Sequence, residues 1–468
     1  MKRIGVIITV LLTSHCSRSE PVSAAPKPAT PPNILLVLVD DLGWSDLGCY
    51  GNPAVDTPRI DAFCAQGVRF TDAYAAAPVC SPTRASIMTG LAPARMHITN
   101  HLPDRESFTP DNPTLTAAHC EDRLALEYVT VAEHLQRNNY KTAFFGKWHL
   151  APQRTADQAD FYPDAQGFDR NTGGNGWGGP GSSFFAPYEF PGLVSKEENE
   201  YLPYRLGEEV QSYIRQHAER ETDEPFFVAL WNYTVHWPMD SPPDLLAKYQ
   251  ERGVQPGIVD PRYAGMTEAL DQVIGGVLDA LKETGLDENT LVIFSSDNGA
   301  LASVADNRPL RGSKGYLYEA GIRVPTMVRW PGKVRPGRVD ATPIISTDWF
   351  STILDAAGVE LPADYPGDGM SLVSLLDESE ELEREALYFH YPNYAWHRSN
   401  RLGSAIRAGD MKLIERFDDG SLELYDLEAD RAEENNLAQQ RPELAQKMQR
   451  SLLLWRASVS AALPDPVR

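Results

Sequence analysis

Four stretches of the chain are apolar almost without interruption: NILLVLV (33–39), TAFFG (142–146), FFVALWN (226–232) and TLVIFSS (290–296). A run with no polar alternation has no solvent face, so each predicts a strand covered on both sides, as in a central parallel sheet. Between these runs the apolar spacing changes to three and four. TPRIDAFCAQG (57–67) predicts a helix capped by Thr57, opened by Pro58 and closed by Gly67. In LEYVTVAEHLQRNNY, Thr130 and Glu133 form a capping-box pattern, and Asn139 ends the segment in the left-handed conformation that usually calls for Gly. Further helices are predicted near 206–218, 262–284 and 347–358, and strands over 68–76 and 322–332. The alternation predicts an α/β fold with helices on both faces of the sheet.

From about Ser379 the pattern changes. ALYFHYP (386–392), SAIRAGDMKLIER (404–416) and SLELYDL (421–427) predict antiparallel strands, followed by a helix near 442–454. The chain thus divides into a targeting segment and Pro-rich linker (1–32), a catalytic domain (33–378) and a smaller C-terminal α+β subdomain (379–468). In the first of these, Lys2 and Arg3 precede a short apolar core at 4–12, too short to span a bilayer. This predicts export to the periplasm or the exterior. Two endings are open. LTSHC resembles a bacterial lipoprotein box that would put a lipid anchor on Cys16, with His15 where a small residue is preferred, and VSAA (22–25) suits ordinary cleavage.

Charge narrows the partners. The 43 basic and 65 acidic side chains leave a net charge of −22. Such a field repels nucleic acid and anionic membranes, so any anion site must be built locally from clustered cations or a metal. Five cysteines (Cys16, Cys49, Cys64, Cys80, Cys120) show no CxxC or zinc spacing, and their low density excludes a disulfide scaffold. One disulfide is compatible with them and none is required.

The conspicuous polar residues fall where the predicted strands end: Asp40 and Asp41, Lys147 and His149, His236, Asp297 and Asn298. Ligands of open α/β sheets bind at those ends. Each pair alone is read equally well as a turn cap, but four sets at equivalent positions point to one shared site. Asp40, Asp41, Asp297 and Asn298 offer the oxygen ligands that suit a hard dication such as calcium. Arg84, Lys147 and Lys314, with Arg311 a further candidate, and the two histidines supply a local anion site. Cys80 opens a predicted helix, a position that lowers a thiol pKa, yet a thiolate is a poor ligand for calcium. An oxygen-bearing derivative of Cys80 fits better. The Gly-rich stretch 171–183 is a loop of unread function.

PVCSPTRASIMTG (78–90) resembles in full the C-x-P-x-R signature of the type I, formylglycine-dependent sulfatases of the alkaline-phosphatase superfamily. NYKTAFFGKWH is similar to a second signature of that family, and NILLVLVDDLGWSDLGCYG, VHWP, SDNGA and RPLRGSKGYLYEAGIRVP extend the resemblance over most of 33–437. The last of these segments looks most like arylsulfatase-type enzymes and N-acetylgalactosamine-6-sulfatase relatives. The resemblance implies an alkaline-phosphatase-like mixed, mostly parallel sheet and a sulfuric ester hydrolase acting on a sulfated carbohydrate or aryl sulfate. It implies that a maturase converts Cys80 to Cα-formylglycine, whose hydrate is the nucleophile. It further implies that Asp40, Asp41, modified Cys80, Asp297 and Asn298 bind Ca²⁺, and that Arg84 steadies the diol. Lys147 and Lys314 would hold sulfate oxygens, His236 would protonate the leaving alkoxide, and His149 would take a proton from the diol to expel sulfate. Sugar contacts are sought among His97, His101, Trp177, His390 and Trp396, each equally read as structural. Competing readings are a phosphonate or phosphodiester hydrolase of the same superfamily, a non-catalytic glycan-binding protein with Cys80 unmodified, and a binuclear-zinc phosphatase. The last is disfavoured by the missing cluster of zinc-ligand histidines.

Overall fold

Eight strands form the central sheet: β1 (Asn33–Val39), β2 (Val68–Phe70), β3 (Lys141–Gly146), β4 (Arg170–Thr172), β5 (Phe226–Asn232), β6 (Thr290–Ser296), β7 (Thr326–Arg329) and β8 (Arg338–Asp340). Their order is β8-β2-β7-β6-β1-β5-β3-β4. Only β7 runs against its neighbours. The computed structural model describes residues 31–467 except 154, 221–222, 363–364 and 398. The predicted export signal, Cys16 and nearly all of the linker lie outside the described residues.

Strand β1 shows why the apolar runs are continuous. Leu35, Val37 and Val39 face one core, which is closed by helices Leu202–Ala218 and Pro261–Glu283. Ile34, Leu36 and Leu38 face a second core beneath helices Cys80–Thr89, Val131–Arg137 and Asp348–Ala356. The twofold alternation of a strand divides one apolar run between two layers. Register then sets the position of the site. Val39 pairs with both Ser296 and Asn232, so β1, β5 and β6 end level, and β3 ends one step away with Gly146 opposite Trp231.

Local signals held where the chemistry was local. Thr130 and Glu133 make both bonds of the capping box, and Asn139 takes φ 64°. Others gave way to tertiary partners. The Thr57 hydroxyl does not cap its helix; it accepts the Gly48 N–H at 2.9 Å and donates to Asp61 at 3.1 Å, tying the 48–50 turn to the helix. The segment 68–76 divides between β2 and a two-residue strand, Ala73–Tyr74, that pairs with Ile344–Ile345. Among the described residues Cys49, Cys64, Cys80 and Cys120 are all free thiols.

The C-terminal sheet is antiparallel, in the order β9 (Leu387–Tyr391), β10 (Gly403–Ala408), β11 (Met411–Arg416), β12 (Leu422–Asp426). Helix Pro442–Ser458 covers one face through Met448 and Leu452. The other face packs on Tyr74, Leu317 and Ile322. Here a buried ion-pair network ties the sheet to the segment that follows Lys314. Lys412 lies 2.8 Å from both Glu319 and Glu433, Arg323 contacts Glu319 at 2.7 Å and Asp72 at 2.6 Å, and Arg407 contacts Asp72 at 2.6 Å.

Candidate active site

The strand ends and the helix that opens at Cys80 bring most of the predicted site residues to one place. Asp40 and Asp41 follow β1. Successive residues of an extended chain point to opposite sides, but Asp41 turns into the left-handed region at φ 62°, and both carboxylates face the same cluster. Lys147 and His149 follow β3, His236 follows β5, and Asp297 and Asn298 follow β6. Cys80 is the first residue of helix Cys80–Thr89, with Arg84 one turn further along.

The contacts interlock. Lys147 Nζ lies 2.7 Å from Asp40 Oδ2. Arg84 donates to Asp297 Oδ2 through Nε at 2.9 Å and to the Lys147 carbonyl at 2.6 Å. Lys314 Nζ donates to Asp41 Oδ1 and lies 3.3 Å from Cys80 Sγ. Cys80 Sγ is 3.7 Å from Asp40 Oδ1. Asn298 Nδ2 donates to Asp41 Oδ1 at 2.7 Å, and His236 Nε2 lies 3.9 Å from Asp41 Oδ2. Three carboxylates and three cations leave this buried cluster formally neutral. Ligand atoms of Asp40, Asp41, Cys80 and His236 lie within 4.8 Å of one another, a group able to hold a metal ion. Two buried oxygens, Asp41 Oδ2 and Asn298 Oδ1, have no hydrogen-bond partner. Orphaned acceptors of this kind suit an oxygen-ligated dication.

Electrostatics differ from the sequence-based expectation at Cys80. A helix start lowers a thiol pKa, but burial pushes the Cys80 thiol up to about 12 against the pull of Lys147 and Lys314. Burial likewise raises Asp40 to about 7 despite the nearby Lys147. For Asp41, burial is outweighed by Lys314, His236 and Lys147, which hold it below the usual range. Burial and Lys147 keep both His149 and His236 well below the ordinary histidine value. The His149 tautomer follows from its contacts. Nε2 bonds the Leu102 carbonyl, which can only accept, so Nε2 carries the proton and the buried, unpartnered Nδ1 carries the lone pair.

Above the cluster opens a cavity of about 900 Å³ lined by Cys80, His149, His236 and Lys314. His101, Trp177 and Trp396 line it, whereas His97 and His390 do not. His390 is buried in the C-terminal sheet, bonded to Ser404 and to the Ala462 carbonyl. Arg311 also lies elsewhere, bonded to Tyr425 and the Glu433 carbonyl. The Gly-rich loop, unread in the sequence, closes over both histidines. A Cβ at Gly178 would meet the His149 ring at 2.6 Å, and one at Gly179 would lie 3.4 Å from His236 Nδ1. Trp237, which also lines the cavity, was missed; its place directly after His236 in the sequence was the available signal.

Fold and site together define an enzyme of α/β class with a buried cluster of carboxylates and cations at its strand ends. The chain belongs to the sulfatase family, whose model matches residues 32–359, and its mixed sheet has the alkaline-phosphatase-like fold of that family's solved members. A second family description, N-sulphoglucosamine sulphohydrolase, C-terminal, matches residues 313–457. Similar proteins include a sulfatase of Formosa agariphila, 31% identical over 96% of this chain and 92% of that one. Arylsulfatase A of Homo sapiens is 32% identical over 93% and 89%, and N-acetylgalactosamine-6-sulfatase of Homo sapiens is 32% identical over 78% and 69%. The crystal structure of Ps i-CgsB in complex with k-i-k-neocarrahexaose superposes with a TM-score of 0.78 at 27% identity, covering 91% of this chain and 92% of that one. The protein is a sulfatase, an enzyme that hydrolyses sulfate esters, and neither a phosphonate or phosphodiester hydrolase nor a non-catalytic binding protein is favoured.

Proposed function

We propose that this sulfatase removes sulfate from a sulfated carbohydrate, using Ca²⁺ and a nucleophile made from Cys80 by a formylglycine-generating maturase. The observation that carries this reading is that Cys80 and Lys314 line the cavity with Arg84 and Lys147 buried directly beneath them. A thiol held near 12 is almost fully protonated at neutral pH and a weak nucleophile. Oxidised to Cα-formylglycine and hydrated, position 80 would supply one oxygen for attack and a second for release of sulfate. Asp40, Asp41, Asp297, Asn298 and the position-80 oxygen would hold Ca²⁺, which would supply fixed positive charge for the sulfate oxygens.

The remaining steps fall to this chain's own side chains. Lys314 lines the cavity and Lys147 lies buried beneath it on Asp40; both would hold sulfate oxygens, overcoming locally the repulsion of a −22 protein. Arg84 steadies the position-80 group while anchored to Asp297. His236 lines the cavity and donates its Nδ1–H to the Trp237 carbonyl at 2.7 Å; Nε2, 3.9 Å from Asp41 Oδ2, carries the lone pair in the neutral ring, so it would take up a proton before passing it to the leaving alkoxide. His149, neutral and with its lone pair on Nδ1, suits withdrawal of a proton from the position-80 hydroxyl. Catalysis of this kind is positioning plus charge stabilisation.

A sulfated glycan as substrate is supported by the neocarrahexaose bound in the similar Ps i-CgsB structure. Export is supported by Lys2, Arg3 and the apolar run at 4–12, with Cys16 a candidate anchor; no helix among the described residues is long and apolar enough to cross a membrane. The division into 33–378 and 379–468 is supported by the change from a mostly parallel to an antiparallel sheet. The test is mass spectrometry of the peptide containing Cys80, from a host that carries a maturase. A loss of about 18 Da, the thiol-to-aldehyde change this nucleophile requires, together with turnover of para-nitrophenyl sulfate, is expected. An unmodified thiol in protein that still turns over sulfate esters would overturn the nucleophile.

A further inference from the structure

Of the nine tryptophans in the chain, Trp177 and Trp237 are the two exposed ones, at 39% and 54%. Both line the catalytic cavity. Their positions are set by the same contacts that set the two histidines. The Trp237 carbonyl accepts from His236 Nδ1. The Trp177 N–H donates to Asn175 Oδ1 at 2.8 Å, and the Asn175 carbonyl accepts the His149 N–H at 2.9 Å. Gly178 and Gly179 follow Trp177, the first tight against the His149 ring and the second in contact with His236 and the Trp237 carbonyl.

The exposed part of an indole at the rim of a cavity keeps apolar area that a ligand can cover. The CH face of a pyranose ring matches that surface, and its hydroxyl edges stay free to bond water. The cavity, about 900 Å³, lies near the upper end of the ~300–1,000 Å³ range of small-molecule sites, more than one sulfated ring fills. With the sulfate drawn to Lys314 at the floor, the rest of the substrate leaves past His236 and so past Trp237, both of which line the same cavity.

We propose that Trp177 and Trp237 are specificity-determining residues: platforms that stack on sugar rings adjacent to the one carrying the scissile sulfate, making the substrate a sulfated oligosaccharide and not a single sulfated ring. This rests on the sulfatase reading and is tested apart from it. Matured enzyme is assayed on para-nitrophenyl sulfate and on sulfated hexasaccharides of galactan and glycosaminoglycan type. Tryptophan fluorescence is titrated with the same hexasaccharides after chemical desulfation. In Trp237→Ala and Trp177→Ala, KM for the best hexasaccharide is expected to rise about tenfold, the scale of one lost aromatic contact. The hexasaccharide-to-aryl-sulfate ratio of kcat/KM should fall. Trp237→Phe, which keeps an aromatic face and guards against a folding artefact, should retain most of it. The desulfated sugar should shift wild-type fluorescence and shift it less in each variant. Ratios within twofold of wild type in both alanine variants would overturn the platform, as would hydrolysis of the aryl sulfate with no hexasaccharide turned over. If no ester is turned over but desulfated hexasaccharide still shifts the fluorescence, the catalytic reading falls and the platform stands.

Discussion

At the scale of single residues, burial decides more than position along a helix. Cys80 opens a helix among cations, yet desolvation pushes its thiol up to about 12. On the proposed mechanism chemistry at that position depends on its conversion, and Cys80→Ala should abolish sulfate-ester turnover while the melting temperature stays within a few degrees of wild type. Persisting turnover would sink the nucleophile assignment. Gly178 is held to glycine by the His149 ring 2.6 Å from where its Cβ would stand. Gly178→Ala should displace the imidazole and lower kcat at least tenfold, with little change in the denaturation midpoint; unchanged kcat would show that the loop yields. His390 carries a stability prediction. It accepts from the Ser404 hydroxyl and donates to the Ala462 carbonyl, while Arg456, also bonded to Ser404, and His97 oppose a further charge. Burial lowers its pKa to about 4 from 6.5. The unfolded chain therefore binds the proton first as pH falls, and stability is lost between pH 6.5 and 4, by roughly 3 kcal/mol at about 1.4 per unit. His390→Gln should flatten that part of the stability–pH curve relative to wild type, read by chemical denaturation at several pH values.

At the scale of elements, strand register and one ion-pair network hold the site. Because β1, β5 and β6 end level, the carboxylates and His236 emerge together without long loops. Lys314 instead sits on the connection from β6 to β7, and that connection is tied down through Glu319. Lys412 is fully buried between Glu319 and Glu433, and burial raises Glu433 to about 7. Removing one partner of a buried pair costs about 3–5 kcal/mol because the other charge stays buried. Lys412→Met should lose stability on that scale in urea denaturation. A loss under 1 kcal/mol would mean that Glu433 takes up a proton and absorbs the change.

At the scale of the whole molecule, a strongly acidic chain concentrates three cations, Arg84, Lys147 and Lys314, in one buried cluster beside a group of side chains able to hold a metal ion. Chelation with EGTA followed by gel filtration should remove turnover, and added Ca²⁺ should restore it; metal analysis of the active protein finding zinc and no calcium would overturn the assignment. The distribution of charge also bears on location. The full chain expressed in a bacterial host should be recovered outside the cytoplasm with 2–12 removed, as read by intact mass. Recovery of that segment on the exported protein would count against a cleaved signal.

Much of this was already present in the linear pattern. Buried strands declare themselves by apolar runs, because a central strand has no wet face, and polar residues at their ends mark the site, because only the ends of such strands meet solvent. That Asp40, Asp41, Lys147, His236, Asp297 and Asn298 come together in one cluster was therefore expected without coordinates, as was the capping box at Thr130. The opposed direction of β7, the role of the glycine loop, the exposure of Trp237 and the withdrawal of His390 into the C-terminal sheet were not. Each depends on which distant segment packs against which. So does the thiol of Cys80, whose local helix position and tertiary burial act in opposite directions, with burial the larger effect.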